Sequence, residues 1–90
     1  MKKVDAMNLV DVKEKLMSIV TEILEVDRSV IEGKEDVNLF KELDVDSLLA
    51  LEIIANVETK YNIKIEDEEI ETLVSFNKML EMVKNKLNIK

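Results

Sequence analysis

Ser47 lies in the run Leu43-Asp44-Val45-Asp46-Ser47-Leu48, where an irregular acidic stretch gives way to the most helix-like segment of the chain. It places a hydroxyl at the mouth of a helix, directly after a carboxylate. The rest of the sequence offers little chemistry of its own. His and Cys are both absent, which removes the usual general base, the thiol nucleophile and the soft metal ligands. Catalysis would have to rest on carboxylates, and no pair of them is flanked by anything that suggests a shared buried site. Asp44-Val45-Asp46 does not open a calcium loop, because the third ligand position is Leu48 and the required Gly is missing. Ser47 is therefore read as an attachment point for a prosthetic group. The plainer reading, a Ser that only caps or decorates a first turn, stands beside it until the neighbours are weighed.

Several elements must position that hydroxyl. Val12, Leu16, Ile19, Val20 and Ile23 recur at helical spacing and predict a first amphipathic helix over 9–24, with Asn8 as its N-cap. Residues 25–42 lose the period, and Asp27, Ser29, Gly33, Asp36 and Asn38 punctuate a long loop. Val26, Val30, Ile31, Val37, Leu39 and Phe40 are spaced to pin this loop to the core. A second helix is predicted over 47–61, with Asp46 as N-cap and one broad buried face made by Leu48, Leu51, Ile54, Ala55, Val57, Glu58 and Tyr61. Ile63 and Ile65 alternate like a strand fragment. Glu66-Asp67-Glu68-Glu69 then starts a short third helix with Ile70 and Leu73 inward. Ser75 caps a last helix reading Phe76, Met79, Leu80, Val83 and Leu87. The expectation is an all-α four-helix bundle: three main helices, a short third one, and a long loop between the first two.

Composition agrees. The chain has 90 residues, no Pro, one Gly and few aromatics, and it lacks the turn pairs that close hairpins. One domain over 1–90 is expected, with its core at about 9–87. The net charge of -7 would repel nucleic acid and favours partners that carry Lys/Arg patches. No apolar run approaches the ~20 residues needed to span a bilayer, and no export signal is evident, so a cytoplasmic monomer is expected.

From Leu43 through Val83 the order of motifs resembles the acyl carrier protein family, the phosphopantetheine-binding four-helix bundles. Asp46-Ser47-Leu48 is followed by a helix of apolar and acidic residues that ends in Tyr61. Ile63, Ile65, Asp67, Glu68 and Glu69 then match the family's Ile-x-Ile-Pro-Asp-Glu-Glu. The tripeptide alone is weak, but the register over about 40 residues is specific. The resemblance implies that a phosphopantetheinyl transferase (holo-acyl-carrier-protein synthase) joins 4′-phosphopantetheine from coenzyme A to the Ser47 oxygen as a phosphodiester, beside Asp46. A helix N-terminus suits a phosphate. The arm's thiol would explain how a chain without Cys carries thioesters.

The resemblance further implies that the second helix docks acyl-transferring and synthase enzymes with basic patches, through Asp46, Leu48, Leu49, Glu52, Ala55 and Glu58. The acids among these, spaced by six-residue steps, are taken to lie on or near one side. Leu51, Ile54, Ile65, Ile70 and Leu73 are candidates to line an acyl pocket. Departures from the pattern carry information too. Asp44 stands where a Gly is usual, and Glu66 replaces the Pro. Leu49 takes the place of an acid common in fatty-acid carriers, and Thr59 and Lys60 take the places of others. The docking helix is thus less acidic than the housekeeping pattern and hints at a specialised lipid or polyketide pathway. The alternatives within the class are fatty-acid synthesis and a D-alanyl or aminoacyl carrier. The rival outside it is an unmodified acidic helical interaction module.

Overall fold

The computed structural model describes residues 9–88. The expected cap Asn8 falls outside them. Helix α1, Leu9–Leu24, turns Val12, Leu16, Met17 and Val20 inward, the i, i+4 and i+3 steps of an amphipathic stripe. It packs against two other long helices, α4 (Ser47–Tyr61) and α6 (Phe76–Leu87). Asp46 and Ser75 cap these two as expected: Asp46 accepts from the Leu49 N–H, and Ser75 from the Lys78 N–H. α6 buries Phe76, Met79, Met82 and Val83.

The expected long loop contains two single-turn helices, α2 (Arg28–Ile31) and α3 (Leu39–Glu42), each too short to show a period in the sequence. Ile31 and Leu39 are fully buried, while Val26 and Phe40 pack partly against the core. Val37, expected to help pin this segment, is instead exposed. Hydrogen bonds finish the anchoring. The Leu39 N–H donates to the Val74 carbonyl at 2.8 Å, and the Asn77 N–H to the Glu35 carbonyl at 3.0 Å. The Asn77 side chain also donates to Asp36 at 2.7 Å. On the other side, the Arg28 guanidinium grips Glu14 with two bonds of 2.9 and 3.0 Å and joins α2 to α1. Those bonds hold the Glu14 carboxyl below the usual carboxylate range.

α5, Asp67–Ile70, is the expected short helix. Its Glu69 accepts from the Glu66 N–H at 2.8 Å and pairs with Lys86 of α6 at 2.9 Å. The amide first and the ammonium second keep Glu69 below its ordinary value. Leu73 is buried and Ile70 half-buried. Ile63 and Ile65 form no strand; Ile65 alone of the two is fully inside.

Three helices end in the same way. Glu25, Asp44 and Asn62 take left-handed backbone, with φ of 57°, 54° and 54°. In each case the next residue donates to a carbonyl five positions back: Val26 to Thr21, Val45 to Phe40, and Ile63 to Glu58. This is the Schellman ending, which normally favours Gly at the left-handed position. Asn and Asp are the side chains that tolerate it best; Glu25 bears the larger strain.

Tyr61 closes the core. It is 5% exposed, and its hydroxyl donates to the Val12 carbonyl at 2.9 Å, which joins α4 to α1. Burial pushes its pKa up to about 12. A phenol whose folded pKa exceeds its unfolded value of about 10 stabilises the fold fully below pH 10, and that contribution is lost as pH rises toward 12. Tyr61→Phe should cost about 1 kcal/mol at neutral pH. It should also flatten the decline in stability between pH 10 and 12, as read from denaturant melts across that range.

Candidate functional site

The approach to α4 is a tight reversal. α3 ends at Glu42, Asp44 turns left-handed, and the Val45 N–H reaches back to the Phe40 carbonyl at 2.7 Å. Asp46 then returns to extended backbone, with φ -81° and ψ 169°. Its side chain takes the Leu49 N–H at 2.9 Å and its carbonyl takes the Ala50 N–H at 3.1 Å. Ser47 is the first residue of α4 and is exposed. Among the described residues, no hydrogen bond claims the N–H groups of Ser47 and Leu48. A phosphate on the Ser47 oxygen would therefore find two first-turn amides and the positive end of a 15-residue helix. Asp46 is already committed to the Leu49 amide and leaves this end of the helix open. The residues fit a phosphodiester at Ser47.

The broad buried face expected of α4 is only partly right. Ile54, Val57 and Tyr61 are buried, and Ile53 joins them. Leu48 is 76% exposed, Leu51 50% exposed, and Ala55 is exposed as well. The reason is angular. At about 100° per residue, Leu48, Glu52, Ala55 and Thr59 fall opposite the stripe centred on Ile53 and Val57, with Leu51 at its flank. Counting round the axis from the Ile53-Ile54 pair would have shown it, whereas apolar character alone assigns every Leu to the core.

The same geometry separates the acids. A six-residue step turns the helix by about 240°, so Glu52 and Glu58 point about 120° apart. Glu52 is exposed beside Leu48 and Ala55, and Leu49 is half-buried on the other flank. Glu58 is half-buried, and its carboxylate accepts the Ile65 N–H at 2.8 Å. It holds the connection between α4 and α5, and its hydrogen bond faces that connection.

Of the residues considered for an acyl pocket, Ile54, Ile65 and Leu73 are core, Ile70 is half-buried, and Leu51 faces outward. A cleft of about 360 Å³ opens elsewhere, between α5 and α6, beside Leu73, Met82 and the Glu69–Lys86 pair; no residue of α4 lines it. Glu58→Ala should leave the Ile65 N–H without its acceptor and cost roughly 1–2 kcal/mol. Amide exchange around Ile63–Ile65 should quicken more than in α1, which hydrogen-exchange mass spectrometry would read.

Residues 14–83 match the family described as the phosphopantetheine attachment site. The chain is 35% identical over 75 residues to polyketide-8 synthase acyl carrier protein 2 of Streptomyces avermitilis, spanning 83% of this chain and 84% of that protein. It is 30% identical over 81 residues to an acyl carrier protein of Guillardia theta, spanning 90% and 98%. It is 32% identical over 76 residues to one of Petrotoga mobilis, spanning 84% and 87%. An all-helical chain that presents a serine hydroxyl at an open helix end, matched over most of its length to such carriers, belongs to the acyl carrier protein family, whose members are carriers rather than enzymes and bear 4′-phosphopantetheine.

Proposed function

We propose that Ser47 bears the phosphopantetheine arm and that the chain carries acyl groups as thioesters for a specialised lipid or polyketide pathway. The observation that carries this reading is the exposed Ser47 hydroxyl at the first position of α4, within the matched span. In loading, the Ser47 oxygen bonds to the phosphorus that bears the pantetheine. The pyrophosphate link of coenzyme A breaks, adenosine bisphosphate departs, and the hydroxyl proton passes to a base of the transferase. The attached arm supplies a thiol for thioester chemistry. The chain's own part is to hold the hydroxyl outward, to offer the Ser47 and Leu48 amides to the phosphate, and to keep Asp46 on the Leu49 amide.

Two things favour a specialised pathway over housekeeping fatty-acid synthesis. One relative is named as a polyketide synthase carrier. Leu49, Thr59 and Lys60 also remove charge that fatty-acid carriers place on this helix. Among the described residues no helix is long and apolar enough to cross a membrane. A cytoplasmic carrier, where coenzyme A is at hand, is part of the proposal.

Incubation with coenzyme A and a broad-specificity phosphopantetheinyl transferase should raise the intact mass by one phosphopantetheinyl group. Ser47→Ala should stay unchanged in mass while melting like the wild type, since among the described residues no hydrogen bond involves the exposed Ser47 side chain. An unmodified wild type, with partner binding indifferent to Ser47→Ala, would instead mark an acidic interaction module. Mass spectrometry of the thioester carried in the native host then identifies the acyl group and the pathway.

A further inference from the structure

We infer that Asn77, at the start of α6, is a positioning residue for the loading of Ser47: with Asp36 it clamps the connection that aims the hydroxyl. The inference rests on the reading of Ser47 above. α4 does not fix its own tip. Its buried residues begin at Ile53. Before that, Leu49 and Ala50 are half-buried, while Ser47, Leu48, Leu51 and Glu52 are exposed. A first turn held so lightly by the core takes its direction from the chain that enters it.

That chain is bonded mainly to itself. The Val45 N–H donates to the Phe40 carbonyl and the Leu43 N–H to the Leu39 carbonyl. Asn38 caps α3 by accepting the Lys41 N–H at 3.0 Å, and Lys34 reaches Glu42 at 3.1 Å. These bonds stiffen residues 34–45 but would move with them. Leu39, Phe40 and Leu43 pack the segment to the core, and polar ties at the start of α6 complete its attachment. The Leu39 N–H donates to the Val74 carbonyl, the Asn77 N–H to the Glu35 carbonyl, and the Asn77 amide side chain to Asp36 Oδ1 at 2.7 Å. The side-chain bond can be removed while both backbone bonds stay. Asn77 and Asp36 are exposed, so truncating either leaves no cavity. Without the clamp, residues 35–38 gain freedom, and α3 and the turn at Asp44 sample more orientations. The hydroxyl then spends less time where it can attack the phosphorus in line, a geometry on which rates depend steeply.

The test compares loading by a phosphopantetheinyl transferase, with coenzyme A, across wild type, Asn77→Ala, Asp36→Ala, Asp36→Asn and Tyr61→Phe. Asp36→Asn keeps the acceptor oxygen and removes the charge. Tyr61→Phe weakens the core without touching the clamp. Asn77→Ala and Asp36→Ala should each lower kcat about threefold, with KM within about twofold of wild type. Combining them should add no further loss, since both cut one bond. Hydrogen-exchange mass spectrometry should show the amides of 39–46 quickening in both. Asp36→Asn and Tyr61→Phe should load like the wild type. Asn77→Ala loading at the wild-type rate, or slowed only through KM, would overturn the clamp. So would an Asp36→Asn loss equal to that of Asp36→Ala, which assigns the effect to charge, or an equal loss in Tyr61→Phe, which assigns it to general loosening. Each of these leaves the attachment reading intact. A wild type that gains no phosphopantetheine takes down the attachment reading, and this inference with it.

Discussion

The hydrogen bond from the Leu39 N–H to the Val74 carbonyl ties the middle of a long connection to the residue before the α6 cap, and the placement of Ser47 depends on it. Between α1 and α4 the chain has only two single turns of helix, too short to be stable alone. Such a segment would wander unless tertiary contacts held it. Ile31 and Leu39 supply buried anchors on either side of Gly33. Asn77, at the start of α6, then binds Glu35 through its backbone and Asp36 through its side chain. With the connection fixed at α6, the Schellman turn at Asp44 delivers the chain to Asp46 in the extended conformation that an N-cap needs. The hydroxyl's position is thus set by contacts far from it in sequence.

Two departures from the family pattern acquire physical meaning in this frame. The Gly expected at position 44 serves a left-handed turn, and the turn persists with Asp at a φ of 54°. Asp is among the least costly non-Gly residues there, so the geometry survives with modest strain. The expected Pro at position 66 lacks an amide hydrogen. Glu66 has one, and Glu69 captures it at 2.8 Å while also reaching Lys86. The stiffness that a Pro ring would have given is replaced by a hydrogen bond and an ion pair at the same corner.

How far the sequence foretold this molecule varied with the kind of signal. The bounds of α1 and α4 and the caps Asp46 and Ser75 were legible because long periodic stretches flanked by capping residues leave few alternatives. α2 and α3 were not, since four residues show no period. The exposed hydroxyl was legible from the helix boundary. The exposed leucines beside it were not, because Leu is core by default and only the angle relative to Ile53 reveals otherwise. The role of Glu58 was not legible either, because its partner is a backbone amide seven residues away that only the fold brings near. The departures at Asp44 and Glu66 were visible as letters, but their remedies were tertiary.

Charge and exposed apolar surface act over different ranges. Charge acts at a distance of about one Debye length, roughly 8 Å at physiological salt, and so governs how often partners meet and in what orientation. The acids outside α4 can do this for any partner with a basic surface. Exposed apolar side chains such as Leu48 and Leu51 act only at contact range. Long-range attraction with few desolvated charges at the contact gives frequent encounters and short residence. A carrier that passes one cargo through many hands needs that combination, because a contact dense in desolvated ion pairs would risk slow release. Rigidity belongs in the scaffold behind the serine, where Tyr61, the three Schellman endings and the anchored connection supply it. The face in front, the open side of α4, mixes exposed Leu48 and Ala55 with exposed Glu52 and Thr59, and none of them is part of that scaffold.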